Sequence, residues 1–337
     1  MIGLAQPKDV NVIIDIVKPR AVVGFGKPLI IGSSTAAKEY KSYSSLEELE
    51  KDYAKTSEVY KAGLSIFSQE NRPPELAVML KKTDDTWADF LPKVMDKDFY
   101  FLVSTSSTTE NIIPIADAVE AADSKQFFAS SNNLTDVAAI KAKGYKNTTI
   151  FYHTTVDNYP EAALVGEAGS KPVGSITWKG QRLVGVQPLD ITAAELKAIH
   201  DAGAITYVTK AGDPVTSEGK TVSGEYIDVI HAKHFTIYSI EYEVQKLFNN
   251  ARNQKIGYDN SGIAQIEGAV RTVLQRCLLQ GIIARDADGV GKYSTTFKTR
   301  EQTTALERAS RAYTGGSFEF ELAGAIHETT IRGVVTY

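Results

Sequence analysis

Cysteine is nearly absent from this chain. Cys277 is the single one among 337 residues, which excludes an intramolecular disulfide framework and any cysteine-based zinc site. No apolar run approaches the ~18 residues needed to cross a bilayer. A basic excess is missing too: 37 basic against 41 acidic residues give a formal charge of −4, without the positive field that a general nucleic-acid or membrane-surface binder needs. The opening stretch MIGLAQPKDVNV has no basic segment followed by an apolar one, so no secretory signal is expected and the chain reads as made, and kept soluble, in a cytoplasm. What remains is an ordinary globular composition, 43% hydrophobic and 23% charged, long enough for about two domains and a sizeable core.

Near the start, VNVIIDIV puts Val10, Val12, Ile14 and Ile16 on one face of a strand that has no obvious local hairpin partner. The stretch 21–32, AVVGFGKPLIIG, follows as a strand interrupted by a turn or glycine bulge. From about residue 45 the pattern alternates. Ser45 and Glu48 suit a capping box, and helices are expected near 57–68, 84–95, 109–122, 134–143, 159–167 and 192–202. Between them fall strands at 75–80, 99–105, 125–130, 148–152 and 204–209. Such alternation predicts an α/β domain, a mostly parallel sheet flanked by helices.

The Gly/Pro-rich stretch 211–225 reads as a loop or linker and sets a domain boundary. Beyond it two helices carry apolar stripes at 3-4 spacing, Ile237, Ile240, Val244, Leu247 and Phe248 on one, Ile263, Ile266, Val270, Val273 and Cys277 on the other. A polar helix is expected over about 300–312. At the end Phe318, Phe320 and Leu322 alternate with Glu319 and Glu321, and after a Gly-Ala bend Thr329, Ile331, Val335 and Tyr337 share a face, a hairpin-like strand pair. The division is therefore an extended arm (1–20), an α/β domain (21–212), a C-terminal α+β domain (213–317) and terminal strands (318–337).

Chemical motifs fail one by one. In GFGKPLIIG (24–32) the Walker A and dinucleotide patterns both break, because position 21 is Ala, Lys27 precedes Pro28 and position 29 is Leu. Asp286-Ala-Asp288-Gly289 lacks the other calcium ligands and reads as a turn exposing two acids. His231 and His234 stand i,i+3 without further metal ligands and are expected to face solvent or an interface. With His153, His200 and His327 isolated and no G-x-S-x-G elbow, the sequence names no catalytic, cofactor-binding or metal residue. It is not read as an enzyme.

At 235–284 the chain reads FTIYSIEYEVQKLFNNARNQKIGYDNSGIAQIEGAVRTVLQRCLLQGIIA, and it closes with FEFELAGAIHETTIRGVVTY. Together these resemble the C-terminal region of bacteriophage contractile tail sheath proteins. Glu267 and the run Leu322–His327 match the family's Gly-Ile-x-x-Ile-Glu helix and Leu-Ala-Gly-Ala-Ile-His strand, whereas Gly257-Tyr258-Asp259 lacks the proline of its turn. The resemblance implies a structural subunit without cofactors that polymerises around a tail tube and contracts to drive the tube through a host envelope. It also implies hexameric rings stacked helically, partners in the tube, baseplate and tail terminator proteins, and a place in a virion tail assembled in the host cytoplasm.

Terminal strands of this kind suit β-augmentation between subunits, which that family uses; twenty extended residues reach roughly 66 Å. Read from the residues alone, pairing within the subunit is an equal alternative. Over 271–311 eight basic residues meet four acids, +4 in a chain of −4, and Arg300, Arg308 and Arg311 recur at spacings compatible with one exposed side. With the resemblance they become the expected tube contact; by charge pattern alone they are a solvated face. Two other classes stay open: another structural tail or shell protein, and an enzyme or ligand-binding protein on a doubly wound sheet.

Overall fold

The computed structural model describes residues 26–251, 255–327 and 329. A seven-stranded sheet forms from β1 (Pro28–Ser34), β2 (Lys38–Tyr43), β3 (Leu76–Lys82), β4 (Phe101–Ser104), β5 (Gln126–Ser131), β6 (Thr148–Tyr152) and β7 (Ala204–Ile205), in the order β2-β3-β1-β4-β5-β6-β7. All neighbours are parallel except β2, which runs antiparallel on β3 at one edge. Central strands such as PLII and FLVS are apolar on both faces because both faces are covered by helices. Ile30, Val78, Phe101 and Val103 meet α2 (Glu58–Phe67) and α6 (Pro160–Ala168), while Leu29, Ile31, Met79 and Leu102 meet α3 (Trp87–Met95), α4 (Thr109–Ala122), α5 (Leu134–Lys141) and α7 (Ala193–Ala202).

Local signals place these helices. Ser57, Thr86, Asn133 and Thr192 each accept a backbone N–H at a helix start. Ser45 does the same for α1 (Leu46–Glu50), but Glu48 reaches back to the N–H and hydroxyl of Ser44 rather than closing a reciprocal box with Ser45.

In a doubly wound sheet the ligand crevice lies at the carboxyl ends of the strands where the order reverses, here between β1 and β4. That place is filled. A Cβ on Gly32 would lie 2.2 Å from Thr105 Oγ1, and Tyr159, whose hydroxyl donates to the Thr105 carbonyl, sits buried beside it. Behind it α6 carries a fully buried acid. Burial pushes the Glu161 carboxyl up to about 8, against a weaker pull from its own backbone N–H and Ser130.

The expected strand over 204–209 divides. Ala204–Ile205 closes the main sheet, and β8 (Tyr207–Lys210) turns into a hairpin with β9 (Asp213–Thr216). The polar stretch after it lies against the sheet: Ser217 exchanges bonds with Thr206, and the Val222 N–H donates to the Thr148 carbonyl.

α8 (Ile227–Asn250) then runs beneath the sheet. Gln126 Nε2 donates to the Ile227 carbonyl, Lys233 pairs with Asp123 at 2.8 Å, and His234 Nδ1 meets the Tyr100 hydroxyl at 3.0 Å. This corrects the solvent-facing expectation for the two histidines. Both are about 4% exposed, His231 stacked on Tyr100 at 5.0 Å, because the first turns of α8 face β4 rather than water. Burial, with His234 adding to it, pushes the His231 imidazole down to about 3, so it is neutral.

Farther along, α8 pairs with α9 (Asn260–Leu279), and Ala232, Phe235, Val270, Val273, Leu274 and Cys277 form a separate core. Of the α9 stripe Ile263, Val270, Val273 and Cys277 are buried as expected, and Ile266 is half-buried. The α8 stripe holds only in its middle: Ile240 and Val244 pack half-buried on this core, whereas Ile237 and Phe248 are 41% and 50% exposed, and Phe235, Thr236 and Ser239 take inward positions.

Candidate intersubunit surface

Beyond α9 the chain forms a turn and a small antiparallel sheet. Asp286 Oδ1 accepts the N–H groups of Asp288 and Val290, so the two acids stand exposed on a tight turn. β10 (Tyr293–Phe297) pairs with β11 (Gly316–Phe320) in the register Tyr293↔Phe320, Thr295↔Phe318 and Phe297↔Gly316. An isolated pair of strands is marginal in water. This one is seated on α9: Tyr293, Phe297 and Phe320 pack on the α8–α9 core, Thr295 Oγ1 donates to Glu267 Oε1 at 2.7 Å, and the Tyr293 hydroxyl donates to Gln275. Thr295 and Arg271 hold the Glu267 carboxylate below its usual range.

Two flanking bonds, Glu321 N–H to the Lys292 carbonyl and Lys298 N–H to the Gly315 carbonyl, fix the alternation of the ladder. Ser294, Thr296, Ser317 and Glu319 therefore bond across the pair, whereas Gly316, Phe318 and Phe320 turn N–H and C=O groups to the outer edge of β11. Among the described residues no strand takes either outer edge of this sheet. Phe318 and Phe320 share a face as expected and stack at 6.4 Å, Phe320 over the core and Phe318 overhanging at 39% exposed. Leu322 bridges to Ile283, and its neighbours bond Ala284 and Ile282 through the backbone. The run then returns to the first domain, where His327 Nε2 meets Thr177 Oγ1 at 2.8 Å and its ring packs edge-on to Tyr226. Val10, Val12, Ile14, Ile16, Ile331 and Val335 lie outside the described residues.

The polar helix expected over about 300–312 is two pieces, a 3₁₀ turn at Arg300–Gln302 and α10 (Ala305–Ser310). The cause is in the sequence: TREQTTALE contains two successive capping boxes, Thr299 with Gln302 and Thr304 with Glu307. The second cap needs extended backbone, so Thr303 breaks the helix and is buried. Arg300 and Arg308 come together by hydrogen bonding rather than helical spacing: Arg308 Nη1 donates to the carbonyls of Arg300 and Thr303, and Arg300 Nε donates to the Tyr258 carbonyl. Arg311 stands apart, exposed and left-handed (φ 57°) at the end of α10. Elsewhere in the basic stretch Arg271 pairs with Glu267, Arg276 with Glu243 and Lys292 with Glu321.

The pattern missed three strands, β2, β9 and, in this region, β10. The YSTTF of β10 has the β-branched and aromatic residues of a strand but only half-burial to mark it. β11 thus pairs upstream, across α10.

No sequence-family profile and no curated protein matches this chain. Solved structures do match in fold. A chain in the cryo-EM structure of the 6-fold symmetrised anti-feeding prophage baseplate superposes with TM-score 0.72 at 12% identity, covering 100% of this chain and 99% of that one. A chain of the anti-feeding prophage helical sheath in its contracted state gives 0.68 at 14% identity, covering 98% and 99%. The crystal structure of the sheath tail protein from Desulfitobacterium hafniense gives 0.59 at 8% identity, over 85% and 93%.

Proposed function

The chain has the fold of contractile tail sheath proteins, and from that premise we propose that it is itself a structural sheath subunit that polymerises around a tail tube and contracts. The observation that carries this reading is a likeness running from end to end, 100% of one chain on 99% of the other, through both the α/β sheet and the C-terminal hairpin. The filled crevice between β1 and β4 leaves the ligand-binding alternative without a site at the usual place.

In this reading the outer edge of β11 is where an extended segment of a neighbouring copy adds a strand, main-chain bonds supplying affinity and the Phe318 overhang a side-chain contact. Residues 10–17 of one copy are the strand offered and 318–337 of another the acceptor region, with the arm at 1–20, the α/β domain at 21–212 and the C-terminal domain at 213–317. Residues 213–222, which lie on the sheet, favour a functional boundary just before α8. Partners are further copies in stacked hexameric rings, a tube protein, and baseplate and terminator proteins, in a tail assembled in the host cytoplasm. Arg300, Arg308 and Arg311 are the proposed tube contact, exposed ion pairs worth about 0–1 kcal/mol each that set register and still release on expansion.

Negative-stain microscopy of the purified protein tests the proposal. Tubes or long helical polymers are expected, in the contracted form, because no tube is present to hold the extended one. A protein that stays monomeric at high concentration in sedimentation and shows no polymers refutes it.

A further inference from the structure

A second cluster lies far from the hairpin, where α7 meets the edge of the main sheet. There a cavity of about 180 Å³ opens between the end of α7, β7 and residues 218–224, lined by Lys141, His200, Glu218, Lys220, Thr221 and Ser223. Gly203 and Gly224, both at positive φ, add wall without side chains. Ligand pockets for drug-sized molecules start at ~300 Å³, so this one suits a small ion.

Its charge is lopsided. Lys179 pairs with Glu218 at 2.9 Å, and Lys197 pairs with Asp201 at 2.5 Å. Lys210 Nζ donates to the Ser217 carbonyl, Lys141 Nζ to the Asp201 carbonyl, and Lys220 Nζ lies over the Tyr226 ring. Among the described residues none of these last three is in an ion pair, so Lys141 and Lys220 in the wall, with Lys210 near Glu218, outnumber the single carboxylate of Glu218 that lines the cavity. His200 shares the place, its Nε2 2.9 Å from Ser217 Oγ. Burial pushes its pKa down; the Glu218 charge pulls the other way, and Lys210, Lys179 and Lys220 each add to the lowering.

One atom discriminates among anions. Glu218 Oε2 is buried and accepts no hydrogen bond, while Oε1 takes Lys179. A ligand that brings both acceptor oxygens and an O–H would satisfy the lysines and that carboxylate oxygen together; a fully deprotonated anion would set its charge against the carboxylate. We propose that this cavity binds inorganic phosphate as hydrogen phosphate, its oxygens toward Lys220 and Lys141 and its O–H toward Glu218.

The test is calorimetric titration of the full chain with phosphate and with sulfate, matched in size but without the proton, at constant ionic strength, with melting curves alongside. Phosphate should bind at least tenfold more tightly than sulfate. Lys220→Gln should weaken phosphate at least fivefold, Glu218→Gln should bring the two anions together, and Lys93→Gln on α3 should change nothing. Circular dichroism checks that each variant is folded. The proposal fails if phosphate to about 10 mM gives neither heat nor a melting shift, if sulfate binds equally well, or if Lys93→Gln weakens phosphate as much as Lys220→Gln.

Discussion

Replacing Glu161 by Gln removes a charge from the middle of the α/β domain while keeping the shape of the side chain. In the fold this carboxyl titrates at about 8 rather than near 4.5, because it is wholly buried. A carboxyl whose pKa is raised by folding holds its proton more tightly in the native state. Its contribution is thus intact below pH ~4.5 and is lost as pH rises toward 8, at about 1.4 kcal/mol per pH unit. By pH 7 the wild type has given up about 3 kcal/mol that a neutral Gln does not lose. The expected outcome is a stability difference between variant and wild type near zero at pH 4.5, growing to about 3 kcal/mol at pH 7 and flattening above pH 8. Urea unfolding followed by circular dichroism, on dispersed subunits at half-unit pH steps, measures it. Other titrating groups cancel in the difference. A gap that stays constant across this range would mean that Glu161 is ionised in the fold, and the reasoning from burial would be wrong.

Deleting residues 1–18 is expected to leave circular dichroism and melting within about 1 kcal/mol of wild type while abolishing long polymers in negative stain; general unfolding would assign that segment to the subunit's own core. Phe318→Pro removes an N–H that faces the outer edge of β11 and leaves the bonds to β10 in place, so it should cost about 1 kcal/mol or less in stability yet stop polymerisation. The same change at Glu319, inside the ladder, should unfold the hairpin. Arg311→Glu is a cleaner probe of tube contact than reversing Arg308, whose guanidinium also ties down the Thr303 and Arg300 carbonyls. It should spare tube-free polymers, weaken co-assembly with the tube protein, and add to the loss seen with rising salt.

Where one signal acted alone, the sequence was read closely: the helix at Thr109–Ala122 and the strand at Thr148–Tyr152 fall at the expected residues. The parallel sheet was legible from the alternation, and the C-terminal motif from Glu267 and Leu322–His327. The misses have a common cause, a residue serving two environments. α8 packs first on the sheet and then on α9, so its inward direction rotates, and a single stripe is right at Ile240 and Val244 but misplaces Ile237 and Phe248. His231 and His234 sit where the first of those environments is driest. Residues 300–312 contain two helix starts, and periodicity has no way to register a cap in the middle of its own window. The partner of β11 was hidden because a half-exposed strand has no strong alternation to show.

The 24 residues of α8 form one unbroken rod about 36 Å long. Its near end is gripped by Gln126, Asp123 and Tyr100, and its far end runs beside α9, which carries the hairpin. A rod held at one end converts tilt into displacement: about 8° at the grip sweeps the far end through about 5 Å, one interstrand spacing. A strand borrowed from another copy across the edge of β11 would be out of register after so small a tilt. Any lattice that joins copies through that edge must therefore take up its geometric change in the connecting chain, and the body of the subunit moves as a rigid piece.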